Sequence, residues 1–382
     1  MLLPWKTFFE VSGDEIPGFF FWQVPSVWHD SCLSAGNVFE YGSYQHFVQE
    51  TPMLKHLFVA LALASMPFAG LAGESHAATS MKIGNAFTSD SIITKAVHEL
   101  CDTIKERTGG QYTLESYDDS KLGPVPAQVK LLNAGNLNFL VSSSGNLSGF
   151  LPKLDVLDMP GITKYHPDMA TVLNGPTAME IYKAASSKNL IVIGAFATSP
   201  RVFMLTRPVK TLEDAKGLKL RVTPSKIHLA TMKKLGMAPV PLAWTECYTS
   251  LQQKVIEGVD PELAQGVTSS IISVAPYWSK FDIMPMTAVV IANRRWWDKL
   301  PEADRNTIRD TIIEVGNKNI RAMYDDDRRL MDELAAEGHP VFVPGEEERS
   351  RWTAAVKDVY KDFSHVPGEW VEKLYSEYSS LK

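Results

Sequence analysis

The sequence predicts an α/β protein large enough for two lobes, and three observations lead to this expectation. Its 382 residues are 45% hydrophobic and 21% charged, the ordinary balance of a soluble globular protein with a full core. Short alternating apolar runs, which predict strands, take turns with helical periodicities in the first half of the chain. Near the end, residues 303–337 keep one apolar face without a proline, which predicts one long helix.

The first predicted lobe begins with alternating strands and helices. The helical stripe after the first strand is closed by Gly109-Gly110, a pair typical of a helix end. The predicted elements in this part cover, in order, 81–86 (strand), 92–108 (helix), 112–117 (strand), 128–134 (helix) and 137–141 (strand). This alternation is typical of a mostly parallel sheet.

The second predicted lobe begins where two strands follow each other closely, at 190–196 and 202–206. The chain is expected to cross between lobes there. Residues 286–292 are apolar and β-branched, and we expect them to form a strand that returns to the first lobe. The predicted lobes are 79–198 with 287–325 (lobe I) and 199–286 with 326–382 (lobe II).

Residues 53–77 have the layout of a secretory signal peptide. A start of Met-Leu-Lys-His precedes the apolar run 57–66 and Pro67, and small residues flank His76. The run is shorter than the roughly 20 residues that a membrane-spanning helix needs, so we expect cleavage. No cysteine follows the run at a lipidation position, so we expect a periplasmic protein without a lipid anchor. Met53 is then the expected true start and 1–52 an upstream extension. A genuine N-terminal extension ahead of an internal signal is the alternative.

Charge and motif content exclude several function classes. The net charge is −6, but residues 1–52 hold one basic residue against six acidic ones, so the rest of the chain offers no basic field for nucleic acid. The two cysteines of the mature chain, Cys101 and Cys247, do not indicate a disulfide framework. Nucleophile elbows, zinc-protease helices, Cys-x-x-Cys pairs, phosphate loops and dinucleotide fingerprints are lacking. We therefore expect no catalysis, metal or cofactor.

The stretch 218–263 is the most informative part of the sequence. Arg221 ends an alternating apolar run and precedes Thr223-Pro224, a pair that ends a strand and starts a turn. An arginine in that place is held rigidly. Its guanidinium can bind a carboxylate through two parallel hydrogen bonds, which a flexible lysine does less well.

This stretch resembles the solute receptors of tripartite ATP-independent periplasmic (TRAP) transporters, DctP type. The matching pieces include Lys216 to Val222, Leu235-Gly236, Pro239 to Leu242, Glu246, Tyr248, Leu251-Gln252, Gly258, Leu157 to Gly161 and Arg295 to Pro301. The resemblance implies a two-lobe periplasmic binding protein-like fold, with mixed or parallel sheets, a hinge and a long bracing helix. It also implies a receptor that closes on an organic acid and delivers it to an ion-gradient-driven permease of a small and a large membrane subunit.

The resemblance implies that Arg221 binds the ligand carboxylate with Arg201 in support, and that Trp244 lies against the ligand body. Each has an alternative: a structural ion pair for Arg221, a structural surface role for Arg201 and core packing for Trp244. The other candidates are Asp260, Tyr248 at the start of a helix, and Thr88, Ser142 and Ser143 in loops at strand ends, where α/β crevices bind ligands. Tyr248 and Glu246 could equally serve as helix-end support.

One departure from the family pattern concerns the ligand. Many members carry Gly-x-Glu-Asn-Pro after the Leu-Gln helix, whereas this chain reads Gly258 to Glu262 with Pro261 at the asparagine's place. A sugar acid needs more polar partners than this offers, and Trp244, Trp278 and Phe281 favour a compact or partly apolar organic acid. A sensor that presents ligand to a membrane kinase and a periplasmic hydrolase remain as alternatives.

Overall fold

The computed structural model describes residues 78–162 and 165–381, which contain two β-sheets. The expected upstream extension 1–52 and signal peptide 53–77 lie outside the described residues. The strands are β1 Thr79–Asn85, β2 Tyr112–Tyr117, β3 Phe139–Ser143, β4 Leu190–Pro200, β5 Phe203–Leu205, β6 Lys219–Val222, β7 Ala238–Pro241, β8 Gly258–Val259, β9 Tyr277–Ser279, β10 Pro285–Asn293 and β11 Val341–Phe342.

Helices surround both sheets. The α-helices are α1 Ile92–Arg107, α2 Val125–Ala134, α3 Ser144–Leu147, α4 Ala170–Leu173, α5 Pro176–Ala185, α6 Lys226–Lys234, α7 Cys247–Gln252, α8 Leu263–Val267, α9 Arg294–Trp297, α10 Glu302–Ala336, α11 Glu346–Val356 and α12 Gly368–Ser380. Short 3₁₀ helices cover Pro152–Asp158, Trp244–Glu246, Ser270–Ser273 and Val359–Asp362. The strands and helices expected from periodicity are present, with ends that differ by a few residues.

Sheet I has the strand order β2-β1-β3-β10-β4 and is mixed. Strands β2 and β3 both run parallel to β1, because α1 and α2 supply the crossover connections that parallel strands require. Strand β10 is antiparallel to both of its neighbours. The expected parallel arrangement therefore holds for the N-terminal strands, and the strand that returns from later in the chain makes the sheet mixed.

Sheet II has the order β11-β9-β5-β8-β6-β7, and its strands are only two to four residues long. Strand β6, which contains Arg221, runs parallel to β7 and β8 on its two sides. Strand β5 is antiparallel to β8 and β9. The arginine therefore lies in an interior strand, which pairs with a neighbouring strand on each side.

Strands β4 and β10 form the crossing between the sheets. They pair along sheet I until Pro200 lies opposite Pro285. The next residue, Arg201, forms an isolated bridge with Glu262, and β5 then begins within sheet II. The chain thus crosses close to the position that the sequence predicts, and Arg201 lies at the crossing itself.

The C-terminal segment packs against helices of both predicted lobes. The sequence assigns residues 326–382 to lobe II, yet α12 packs against α4 and α5, which belong to the stretch assigned to lobe I. Helix α11 packs against α6, beside sheet II. The exact lobe boundaries stay a prediction.

Helix α10 is the long brace that the sequence predicts, because its apolar face is shared between two cores. Ile308, Ile312 and Met323 pack in the cluster under sheet I. About two to three turns further on, Leu330 and Leu334 pack with core residues of sheet II. The helix therefore contacts both sheets with one continuous stripe.

Gly316 allows α10 to lie directly on β4. A Cβ atom at this position would stand 2.6 Å from the carbonyl oxygen of Ala195 and 3.2 Å from the Cα of Phe196. Both are backbone atoms of the crossing strand, which cannot move aside as a side chain could.

We predict that Gly316→Ala destabilises the protein although alanine is the better helix former. The clash should lower the free energy of unfolding by about 1–3 kcal/mol, as overpacking of a rigid core does. Urea unfolding measures this, with Gly368→Ala in α12 as control because a Cβ there meets open space. Equal stability of Gly316→Ala and the wild type would contradict the close approach.

Candidate functional site

A cavity of about 280 Å³ is lined by residues from both halves of the fold. The first half, built around sheet I, contributes residues that include Phe87, Val125, Pro126, Ser143 and Phe150. The second half, built around sheet II, contributes Arg201, Arg221, Trp244, Glu262 and Gln265. Most of the wall is apolar, while the charged groups gather on one side. Such a division is typical of small-molecule sites, where a few polar groups orient a ligand with an apolar body.

Arg221 is buried on the cavity wall, with 2% of its surface exposed. Its Nε donates to the carbonyl oxygen of Leu242 at 3.0 Å, and Nη1 donates to Oδ1 of Asp260 at 3.4 Å. The guanidinium carbon lies 5.5 Å from the centre of the Trp244 ring, within the range of a cation–π contact. These contacts fix the plane of the guanidinium.

Arg201 lies on the same wall and is also buried. Its Nη1 donates to the carbonyl oxygen of Asp260 at 2.7 Å and lies 3.5 Å from the Oδ2 atom of that residue. Nε and Nη2 of Arg201 have no hydrogen-bond partner among the described residues. A buried donor without a partner is unfavourable, so this guanidinium can gain an acceptor when a ligand binds.

Asp260 connects the two arginines. It follows β8, is fully buried and contacts both guanidinium groups, but it is not among the residues of the cavity wall. On its other side, His228 Nδ1 lies 3.9 Å from Oδ2 of Asp260. The sequence predicts that Asp260 contacts the ligand, whereas the structure places it behind the arginines, as their counter-charge.

Glu262 lines the cavity, although the sequence does not predict it as a site residue. Its exposed fraction is 1%. The Gln265 amide is oriented so that its nitrogen donates to Glu262 Oε2 at 3.2 Å and its oxygen accepts from Trp244 Nε1 at 3.2 Å. Oε1 has no hydrogen-bond partner among the described residues. Burial raises the pKa of Glu262 to about 7, and the charge of Arg201 opposes this rise.

The other predicted ligand residues divide between the wall and its surroundings. Ser143 lines the cavity and also caps α3 by accepting from the backbone of Asn146 at 3.4 Å. Its neighbour Ser142 is buried and does not line the cavity, because successive residues of a strand point to opposite faces. Thr88 is off the wall and shares a hydrogen bond of 2.7 Å with Thr268 in the other half.

Several aromatic and helix-end candidates serve the structure instead. Tyr248 is partly buried and packs against the core of sheet II, off the cavity wall. Glu246 accepts from the backbone of Ala243 at 3.0 Å, a helix-capping contact. Trp278 and Phe281, which the sequence suggests as ligand contacts, are core residues, and Phe281 stacks on Trp352 at 3.8 Å between ring centres. Of the proposed aromatic set, only Trp244 reaches the cavity.

Within the described residues, no group of three or more His, Cys, Asp and Glu side chains is placed to hold a metal ion. No helix of residues 78–162 and 165–381 is both long enough and apolar enough to cross a bilayer.

Comparisons with known proteins agree on one family. The family model for bacterial extracellular solute-binding protein, family 7 (DctP), matches residues 83–365. A solute-binding protein of Verminephrobacter eiseniae is 27% identical over 77% of this chain and 87% of its own length. The sialic acid-binding periplasmic protein SiaP of Vibrio cholerae is 25% identical over 79% of this chain and 94% of its own length.

Solved structures share the fold. A TRAP periplasmic solute-binding protein from Polaromonas, bound to D-erythronate, has a TM-score of 0.73 at 24% identity and covers 80% of this chain and 99% of its own. The sugar acid binding protein DctPAm from Advenella mimigardefordensis, in complex with galactonate, also has a TM-score of 0.73, at 22% identity, covering 79% of this chain and 98% of its own. At these identities the likeness concerns the fold alone.

The pKa of Glu262 predicts how stability depends on pH. Because the folded value of about 7 exceeds the ordinary 4.5, the folded protein binds this proton more tightly than the unfolded chain does. The resulting stabilisation of the folded protein is complete below the ordinary pKa of 4.5 and is lost as pH rises through the folded pKa of about 7. Over that interval the wild type should lose as much as about 3 kcal/mol through this group.

We predict that Glu262→Gln removes this loss and is more stable than the wild type at about pH 8 but not at about pH 4. Asp327, whose pKa burial raises to about 6, contributes with the same sign in both proteins, so the difference between them isolates Glu262. Urea unfolding at both pH values measures the effect, with exposed Glu372→Gln as control. Parallel pH curves for wild type and Glu262→Gln would refute the prediction.

Proposed function

We propose that this chain, which belongs to family 7 of the bacterial extracellular solute-binding proteins (DctP), is the periplasmic receptor of a TRAP transporter. It binds an organic carboxylate in the cavity between its two sheets. The observation that carries this proposal is the pair of buried arginines, Arg201 and Arg221, on one side of an otherwise largely apolar wall.

The ligand carboxylate is bound by Arg221 with the support of Arg201. Nε and Nη1 of Arg221 already have protein partners, while Nη2 has no hydrogen bond to a described residue. Arg201 has two such donors. A carboxylate beside both groups supplies acceptors and negative charge, and charge-assisted hydrogen bonds are about twice as strong as neutral ones.

Asp260 orients both arginines and does not itself touch the ligand. The alternative that Arg221 serves in a structural ion pair is thus part of its role, since the pair with Asp260 holds the guanidinium in place. The ring face of Trp244 supports Arg221, and the same ring presents apolar surface to the ligand body. Ser143 presents a hydroxyl group to the ligand body. Thr88, Ser142 and Tyr248 lie off the wall and act at most indirectly.

Closure of the two lobes completes binding. Strands β4 and β10 connect the sheets, and rotation about this connection would bring the wall residues of the first half onto a ligand held by the arginines. Exclusion of water lowers the local dielectric constant and strengthens the arginine contacts. Export by the signal peptide that begins at Met53 rests on the layout of residues 53–77 in the sequence. Delivery to the two-subunit, ion-driven permease rests on the family.

Two other functions predict different results. A sensor would have the same site, and a kinase gene beside this gene, in place of permease genes, would favour it.

A hydrolase needs a nucleophile, and Thr223 on the wall shares a hydrogen bond with His228, which lies 3.7 Å from Asp158. Recovery of carboxylate esters unchanged after incubation with the protein would exclude that activity.

We predict that the protein is stabilised against heat by one chemical group within a panel of acids. The panel contains D-erythronate, galactonate, orotate and succinate, which solved structures of the same fold contain. A ligand at about a hundred times its dissociation constant stabilises by about 2.7 kcal/mol, which is a shift of several degrees.

Arg221→Lys should weaken binding of the same acid by at least about tenfold, because lysine keeps the charge beside Asp260 but loses the planar fork. The control is Arg328→Lys, a substitution of the same kind on the exposed face of α10. Undiminished binding by a folded Arg221→Lys protein would contradict the assignment of the carboxylate site.

A further inference from the structure

The charges on the cavity wall match a ligand with a single negative charge. Arg201 and Arg221 are the cationic side chains of the wall, and Asp260 lies behind them in contact with both. Asp260 neutralises one of the two guanidinium charges, so one positive charge remains to pair with the ligand. Glu262 is the acidic side chain of the wall, and in its ionised form it would cancel that charge.

The surroundings of Glu262 allow it to be neutral. Burial, the largest influence, and the nearby charge of Asp327 on α10 favour the neutral form, while the backbone N–H groups of Glu262 and Gln265 and the charge of Arg201 favour the ionised form. Gln265 is the hydrogen-bonding neighbour, and its amide reaches one carboxyl oxygen only. Beyond Asp260 lie His228 and Asp158, which face each other at 3.7 Å and are fully buried.

The second carboxyl oxygen of Glu262 is available to a ligand in the cavity. Oε1 is buried and makes no hydrogen bond to a described residue, although Glu262 is part of the wall. In the protonated form it can donate a hydrogen bond to a hydroxyl or carbonyl oxygen of the ligand. In the ionised form it would repel a ligand carboxylate at the arginines.

We propose that Glu262 is a specificity-determining residue, which takes up a proton from solvent when a monocarboxylate binds and thereby makes the site select one carboxylate over two. The proposal rests on the proposed function of the cavity. A monocarboxylate beside the arginines and a neutral Glu262 leaves the buried site without excess charge. A dicarboxylate would leave one negative charge unpaired, which is strongly unfavourable in a buried site.

Calorimetric titration tests the proposal with the full secreted chain, its Glu262→Gln variant and Glu372→Gln as control. The probes are D-erythronate, galactonate and orotate, each with one carboxylate, and succinate with two. For the best monocarboxylate, the affinity of the wild type should fall by up to about tenfold per pH unit above about pH 7. Titration in two buffers of different ionisation enthalpy should reveal uptake of close to one proton per ligand at about pH 8.

Glu262→Gln should bind the same acid with an affinity that does not change with pH and without proton uptake, while Glu372→Gln behaves as the wild type. Succinate should bind the wild type at least about tenfold more weakly than the best monocarboxylate. Three results would overturn the role of Glu262 but leave the proposed function of the cavity standing. They are binding of a monocarboxylate to the wild type without proton uptake, the same pH dependence in Glu262→Gln as in the wild type, and a preference for succinate. Failure of every acid to bind at any pH would overturn the proposed function as well.

Discussion

The arrangement on which the site depends is the burial of two guanidinium groups beside one carboxylate. Arg201, Arg221 and Asp260 are each at most 5% exposed, and Asp260 contacts both arginines. A buried ion pair is stable only when its geometry is held and its remaining donors find acceptors. The protein holds the geometry through β6, the β4–β5 crossing and the end of β8. It leaves the last donors to the ligand.

This arrangement explains why the site lies where the two sheets meet. Arg201 follows the last residue of β4, so its position depends on the strand pair that connects the sheets. Helix α10 packs on both cores and restricts how the two halves can move. In the mechanism we propose, the apolar wall contributed by the first half closes over a ligand that the second half holds by its charge. In this mechanism, binding and closure are linked through the same few residues.

Sequence patterns predict the features of this protein that depend on local periodicity or a specific motif. The long helix, the N-terminal parallel strands and the rigid placement of Arg221 are of this kind. What escapes prediction depends on tertiary contacts. The register of β3 decides that Ser143 and not Ser142 reaches the cavity, and only packing reveals that Asp260 lies behind the arginines. Glu262 belongs to the segment that departs from the family pattern, but nothing in the sequence shows that it is buried on the wall.

The most direct test of the carboxylate site compares an acid with its own neutral carboxamide. Calorimetric titration of the wild-type protein should use the best-binding acid of the panel and the corresponding amide, which is nearly identical in shape. Binding by the buried arginine pair predicts that the amide loses about 10⁴-fold in affinity, because it leaves the charged donors without their partner. Equal affinities would show that the arginines do not read the carboxylate and would contradict the account.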